Sequence, residues 1–140
     1  MEIEIKDFEE SDREKLRQIY LEVRQTNFNW LDQESFRLSS FDKDTEGEYI
    51  LVAKVDNEIV GFTSLWLKDN FIHHLYISKP FQRKGIGTEL LNRVIEKLGS
   101  NVSLKCLIKN ELGINFYLKH GWQPIGKGRS IEGEYISFKY

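Results

Sequence analysis

Cysteine is nearly missing from this 140-residue chain: Cys106 stands alone, so no disulfide can close within it. There is no CxxC pair and no closely spaced His/Cys cluster, which removes the usual zinc frameworks, and no metal is expected. No apolar run approaches the ~20 residues of a membrane span. Neither sign of charge prevails, since 20 Lys and Arg stand against 22 Asp and Glu, a formal net charge of -2. Such a chain has no global field to recruit nucleic acid or an anionic membrane, so neither is expected as a partner. Repeats, low-complexity tracts and linkers are missing too. Asn101-Val102-Ser103 has the form of a glycosylation acceptor, but no signal-peptide pattern accompanies it, and the expected compartment is the cytoplasm. The remaining composition, 40% apolar and 30% charged, suits one domain over residues 1–140 that buries its own core. Cys106 lies in an apolar strand candidate and reads as a buried, inert thiol.

Periodicity then orders the chain. Residues 1–8 alternate apolar and charged, as a strand with one covered face does. Ser11 and Glu14 have capping-box spacing, and Leu16, Ile19, Tyr20 and Val23 mark a helix stripe after them. A short helix is expected over 31–41 with Asp32 as its cap. Strands at Tyr49–Val55 and 58–67 meet at Asp56-Asn57, a tight-turn pair. The strand Phe71–Ile77 follows, then a helix over 87–98 carrying Leu90, Leu91, Val94, Ile95 and Leu98 at helical spacing. A strand over 102–108 precedes a helix that Asn110 begins and Gly121 ends. Strands at 122–125 and 135–138, around a loop over 126–133, close the chain. The order β-α-α-β-β-β-α-β-α-β-β predicts an α/β fold with a mixed sheet.

Between the strand Phe71–Ile77 and the helix after it lies Gln82-Arg83-Lys84-Gly85-Ile86-Gly87. A chain leaving a strand there can offer several free backbone N–H groups to an anion. Glycines 85 and 87 keep Cβ atoms away, and the helix N-terminus adds favourable partial charge. A phosphate-bearing ligand fits this stretch. A nicotinamide-binding Rossmann unit does not, because G-x-G lacks the following x-x-G, and the P-loop pattern is absent.

Two separated segments, His74 through Gly87 and Ile108 through Trp122, resemble the GCN5-related N-acetyltransferases, and the resemblance covers essentially the whole chain. The first matches that family's Q/R-x-x-G-x-G/A acyl-CoA motif; the second matches its asparagine, helical Phe-Tyr pair and Gly-aromatic step. The resemblance implies an acyl-CoA N-acyltransferase fold whose fourth and fifth strands splay apart around acetyl-CoA. It implies that Gln82, Arg83, Lys84, Gly85, Ile86, Gly87 and Thr88 form the pyrophosphate loop. It further implies that the Ile77 backbone and Asn110 meet the pantetheine arm, and that Tyr117 is the general acid beside the departing sulfur. His73 falls where several family members direct acid–base side chains toward the acceptor, with His74 as its rival and water as the alternative proton acceptor, so the general base stays open.

Each residue also has a plainer reading. Gly85 and Gly87 suit an ordinary turn, Asn110 suits an N-cap, and Tyr117 suits core packing on an apolar helix. Phe116 reads as core. Strand alternation sends His73 and His74 to opposite faces, which makes them poor joint metal ligands and leaves either as a structural histidine. Phe28, Trp30 and Trp66 suit either the acceptor pocket or the core, and Glu132, Glu134 and Tyr135 suit a cationic acceptor or a solvated turn. The resemblance implies acetyl transfer from acetyl-CoA to a primary amine, on a small molecule or a peptide. Longer-chain acyl transfer and a non-catalytic acyl-CoA-binding or interaction module are the alternatives. Acceptor identity and oligomeric state stay open.

Overall fold

The computed structural model describes residues 1–140. Seven strands form one sheet: β1 (Ile3–Asp7), β2 (Tyr49–Val55), β3 (Glu58–Trp66), β4 (Phe71–Ile77), β5 (Ser103–Leu107), β6 (Gln123–Ser130) and β7 (Gly133–Lys139). Four helices accompany them: α1 (Arg13–Asn27), α2 (Ser40–Asp44), α3 (Ile86–Leu98) and α4 (Glu111–Lys119). The sheet order is β1-β2-β3-β4-β5-β7-β6, with every pair antiparallel except β4 beside β5. No helix is long and apolar enough to cross a membrane.

Strand β2 shows why the middle of the sheet is uniformly apolar. Ile50 and Val52 pack under α1 and α2 with Leu16, Ile19, Tyr20, Val23, Phe41 and Phe62. Leu51, Ala53 and Val55 point the other way, into a core with Ile86, Leu90, Leu91 and Val94 of α3. A strand covered on both faces needs a continuous apolar run rather than alternation. Asp56 and Asn57 turn β2 into β3 with φ of 49° and 68°, the left-handed pair such a two-residue hairpin demands.

The chain departs from the expected elements in three places. The entry to α1 is fixed by Asp12 rather than by Ser11 and Glu14: its carboxylate accepts the Glu9 N–H at 2.9 Å and a Lys6 ammonium hydrogen bond at 2.5 Å. Residues 31–41 do not form one helix. Asp32 caps only a 3-10 turn, Gln33–Ser35, and the helical segment comes later as α2. The expected loop over 126–133 is mostly strand, because β6 and β7 pair from Gln123 opposite Lys139 to Ser130 opposite Gly133 and turn only at Ile131-Glu132. Glycines at 126 and 128 read as loop, but Gly128 lies under the Tyr135 ring, where a Cβ would strike the phenol within 3 Å.

Two irregularities of β4 create the site. First, β4 and β5 pair only through Phe71 with Ser103 and Ile72 with Leu104, then part. Second, the β3–β4 ladder slips between Ser64, opposite His74, and Leu65, opposite Ile72, which leaves His73 as an extra residue. Such a bulge inverts the alternation beyond it. Ile72 therefore lies in the α3 core, whereas His74 lies against Tyr20 of α1.

Candidate active site

The parting of β4 and β5 opens a cavity of about 1390 Å³. One end is the turn into α3. Arg83 and Gly85 hold φ of 64° and 85°, and the backbone N–H groups of residues 83–88 make no hydrogen bond within the protein. Six consecutive free donors at a helix start form a cradle for an anion. Gly85 serves here through conformation rather than clearance, since a Cβ on it would meet nothing within 4 Å. At Gly87 clearance does matter, for a Cβ would sit 3.2 Å from the Phe116 ring. Gln82 folds back, its amide donating to the Ile77 carbonyl at 2.9 Å, and so ties the loop to β4. The side chain of Ile86 is buried in the core, which leaves only its backbone for a ligand. Thr88 faces His120 at 2.7 Å. The His120 Nδ1–H donates to the Phe116 carbonyl, so its Nε2 accepts the Thr88 hydroxyl proton.

The middle of the cavity lies between the separated strands. Its walls include Ile77 of β4, Cys106 of β5, Asn110 just before α4, and Tyr117 within α4. Asn110 caps α4, accepting the Gly113 N–H at 3.2 Å, and its amide nitrogen lies 3.9 Å from the Cys106 sulfur. Burial pushes the Cys106 thiol up to about 12, in keeping with an inert group. Burial also raises the Tyr117 phenol well above its ordinary value. Its ring packs on Trp122 and Phe138 while its residue lines the cavity, so packing and access coexist.

The far end holds a polar network that includes four residues the sequence did not single out for the site: Tyr20, Arg24, Asp44 and Glu48. Tyr20 donates to Asp44 at 2.6 Å and accepts from Arg24 at 3.0 Å. Arg24 also bridges to Glu132 at 2.8 Å. Because the Tyr20 proton goes to a carboxylate, His74 Nε2, 3.2 Å away, must be the donor of that pair. His74 Nδ1 then carries a lone pair and accepts from Ser64 at 2.8 Å. Burial lowers the His74 pKa far below its usual value, so this ring is neutral.

His73 sits beside it, with ring centroids 3.9 Å apart, so the expectation that the two rings face opposite ways is overturned by the bulge. Its Nδ1–H donates to Glu48 at 2.7 Å. The Glu48 side chain is only 6% exposed, whereas that of His73 is 45% exposed and lines the cavity. With Nδ1 engaged, the free lone pair of neutral His73 is on Nε2.

Of the residues singled out from sequence, His73, Ile77, Gln82, Arg83, Gly85, Ile86, Gly87, Thr88, Asn110 and Tyr117 line this one cavity, as do Phe28, Glu132 and Tyr135. Lys84 does not, and its side chain is exposed. Trp66 packs over Gly47, Glu134 pairs with Arg129, and Trp30 supports the last turn by donating to the Glu132 carbonyl. Tyr20 was legible only as part of the α1 core stripe, and Glu48 is the single residue between a turn and β2, where no periodic signal reaches.

Solved structures share this architecture. The chain aligns over 100% of its length with 98% of apo YjaB from Escherichia coli, at 18% identity and a TM-score of 0.83. It aligns over its full length with all of the PaiA N-acetyltransferase from Thermoplasma acidophilum, in complex with coenzyme A, at 22% identity and a TM-score of 0.79. It also covers 92% of YncA from Salmonella typhimurium, a structure with acetyl-CoA, at 18% identity and a TM-score of 0.72 over 99% of this chain. At these identities the likeness speaks for the fold. The family model described as "Acetyltransferase (GNAT) family" matches residues 10–122, and the chain thus belongs to the GNAT family of acetyltransferases.

Proposed function

We propose that residues 1–140 act as a single N-acetyltransferase domain that transfers the acetyl group of acetyl-CoA to a primary amine by direct attack. The observation that carries this reading is the run of six unpaired backbone N–H groups at residues 83–88, opening into the same cavity as Tyr117 and His73. These donors, with Arg83, would hold the pyrophosphate, while the Ile77 backbone and Asn110 would flank the pantetheine arm. The coenzyme A complex of the Thermoplasma protein and the acetyl-CoA complex of the Salmonella protein are consistent with this choice of donor. Acetyl-CoA, when bound, supplies the acyl carbon and a thiolate leaving group.

The chain's own groups then manage protons. An ammonium has no lone pair, so the acceptor must react as the neutral amine. His73 Nε2 is the proton acceptor, and Glu48 stabilises the imidazolium that results through its hydrogen bond to Nδ1. Tyr117 donates its phenolic proton toward the sulfur as charge builds there. Burial keeps that phenol protonated at neutral pH, which is the form a donor needs. Fixing both partners in one cleft removes much of the entropic cost of their encounter.

The test is release of free thiol from acetyl-CoA in the presence of a panel of small-molecule and peptide amines, with product mass read in parallel. Thiol release that depends on the amine, with an acetyl increment on that amine, is the expected result. A larger increment with longer acyl donors, and none with acetyl-CoA, would replace acetyl by longer-chain transfer. Binding of coenzyme A thioesters without any amine-dependent release would overturn catalysis altogether.

A further inference from the structure

We propose that Glu48, His73 and His74 form a binding site for a divalent transition-metal ion of the zinc or cobalt class. Two observations meet here. The β-bulge at His73 brings both imidazoles to one side of the sheet, and their ligating nitrogens lie within 4.8 Å of a Glu48 carboxylate oxygen. Independently, Glu48 Oε1 is buried and has no hydrogen-bond partner. It faces His74 Nδ1 at 3.9 Å. The Tyr20–Asp44 pair fixes the His74 proton on Nε2, so that facing nitrogen bears a lone pair. That lone pair now accepts the Ser64 hydroxyl, but Oε1 beside it has no proton to accept, an arrangement that a cation would stabilise.

The donor set suits this ion class. Two borderline imidazole nitrogens with one hard carboxylate oxygen are a set that zinc accepts, with metal bonds of about 2.0–2.2 Å. Tetrahedral ligands then stand roughly 3.4 Å apart, so the ligand atoms of the three residues, which lie within 4.8 Å of one another, need only small side-chain shifts to close on one ion. Ser64 yields its hydrogen bond to His74 Nδ1, and the His73 proton moves from Nδ1 to Nε2. The half-exposed face of His73 provides entry and leaves a fourth position open toward the cavity. Outside this set, the His74 Nε2–H directed at Tyr20, itself hydrogen-bonded to Asp44, is the kind of support that orients a ligating imidazole. Under the acetyl-transfer reading, a loaded site places the proton on His73 Nε2 and restrains transfer.

The experiment is calorimetric titration of chelator-treated full-length protein with Zn²⁺, and with Co²⁺ followed by visible absorption. One ion per chain is expected, with an absorption band for Co²⁺. Glu48→Gln, an isosteric change, and His73→Ala, at a half-exposed position, should each weaken binding at least about tenfold. His120→Gln removes the third histidine of the chain and should leave binding unchanged; circular dichroism verifies that each variant is folded. Binding that survives both Glu48→Gln and His73→Ala, loss with His120→Gln alike, or no binding up to about 1 mM ion would overturn the site. These titrations stand apart from transfer: metal binding by a protein that, when metal-free, shows no amine-dependent thiol release would sink the catalytic reading and leave this one intact.

Discussion

Tyr117 shows how far a single residue's role can be argued from its surroundings. Its ring packs with Trp122 and Phe138 whatever the function, so a phenylalanine should keep the fold and lose only the proton. Tyr117→Phe is expected to lower kcat about 10²-fold with little change in coenzyme A affinity, as loss of a general acid does. Steady-state kinetics together with ligand titration measure both, and unchanged kcat under chemistry-limited conditions would remove the residue from the mechanism. Gly85 makes a different case. The space around its Cα is open, so its requirement is the left-handed φ of 85°, which costs other residues about 1–2 kcal/mol. Gly85→Ala should therefore raise KM for acetyl-CoA about tenfold while sparing kcat, because the loop loses the shape that aims its donors. Gly121 has the same φ, equally open space and no place in the cavity lining, so Gly121→Ala supplies the control: similar strain with an unchanged KM. If both variants shift KM alike, loop geometry is not the cause.

At the level of elements, strands and long helices were legible because one rule dominated each. Phe71–Ile77 agrees with β4 to the residue, and α3 begins one residue before the expected start. Rules in competition were harder to read. Ser11 and Glu14 had the capping spacing, yet Asp12 took the position because Lys6 on β1 reaches it. That tertiary pairing joins β1 to the entry of α1 and has a pH signature. Burial pushes the Asp12 carboxyl up, but the hydrogen bonds from Lys6 and the Glu9 N–H, with the charges of Lys6 and Lys54, outweigh it and hold the group below its ordinary value. A carboxyl depressed in the folded state stabilises fully above its unfolded value, about pH 4, and that contribution fades as pH falls through the folded value. Asp12→Asn should thus lower Tm at pH 7 by about 2–8 °C, on the scale of hydrogen bonds to a charged group. The deficit should narrow steadily below about pH 4 as wild-type Asp12 takes up its proton. Thermal melts across that range measure it, and a deficit independent of pH would show that the side chain acts through packing alone. The bulge at His73 is the element that sequence could least disclose. Nothing in Phe71–Ile77 marks an extra residue, because the slip belongs to the β3–β4 pairing and not to either strand.

For the molecule as a whole, the cavity exists because the ladder between β4 and β5 holds only two residue pairs before the strands part. The motif at 82–87 was legible since free donors at a helix start follow from local geometry. The far end was legible only in part: His73 and Glu132 were singled out, but Tyr20, Arg24, Asp44 and Glu48 reach it through pairings across the chain, Arg24 and Glu132 being 108 residues apart. Filling a cleft between two half-sheets must couple them, and this gives a test that does not depend on turnover. A ligand that binds only the folded state stabilises by about 2.7 kcal/mol at a hundred times its Kd. For a chain of this size, coenzyme A at that level should raise Tm by about 5–10 °C. The site of action can be read separately by amide hydrogen exchange. Residues 83–88 have no internal acceptors, so in free protein their amides should exchange quickly beside the protected body of α3. With coenzyme A bound, those six should slow the most, and β4 and β5 should gain protection where they no longer pair. A rise in Tm without slowed exchange at 83–88 would place the ligand elsewhere on the protein and leave the unpaired donors of this loop without the role assigned to them.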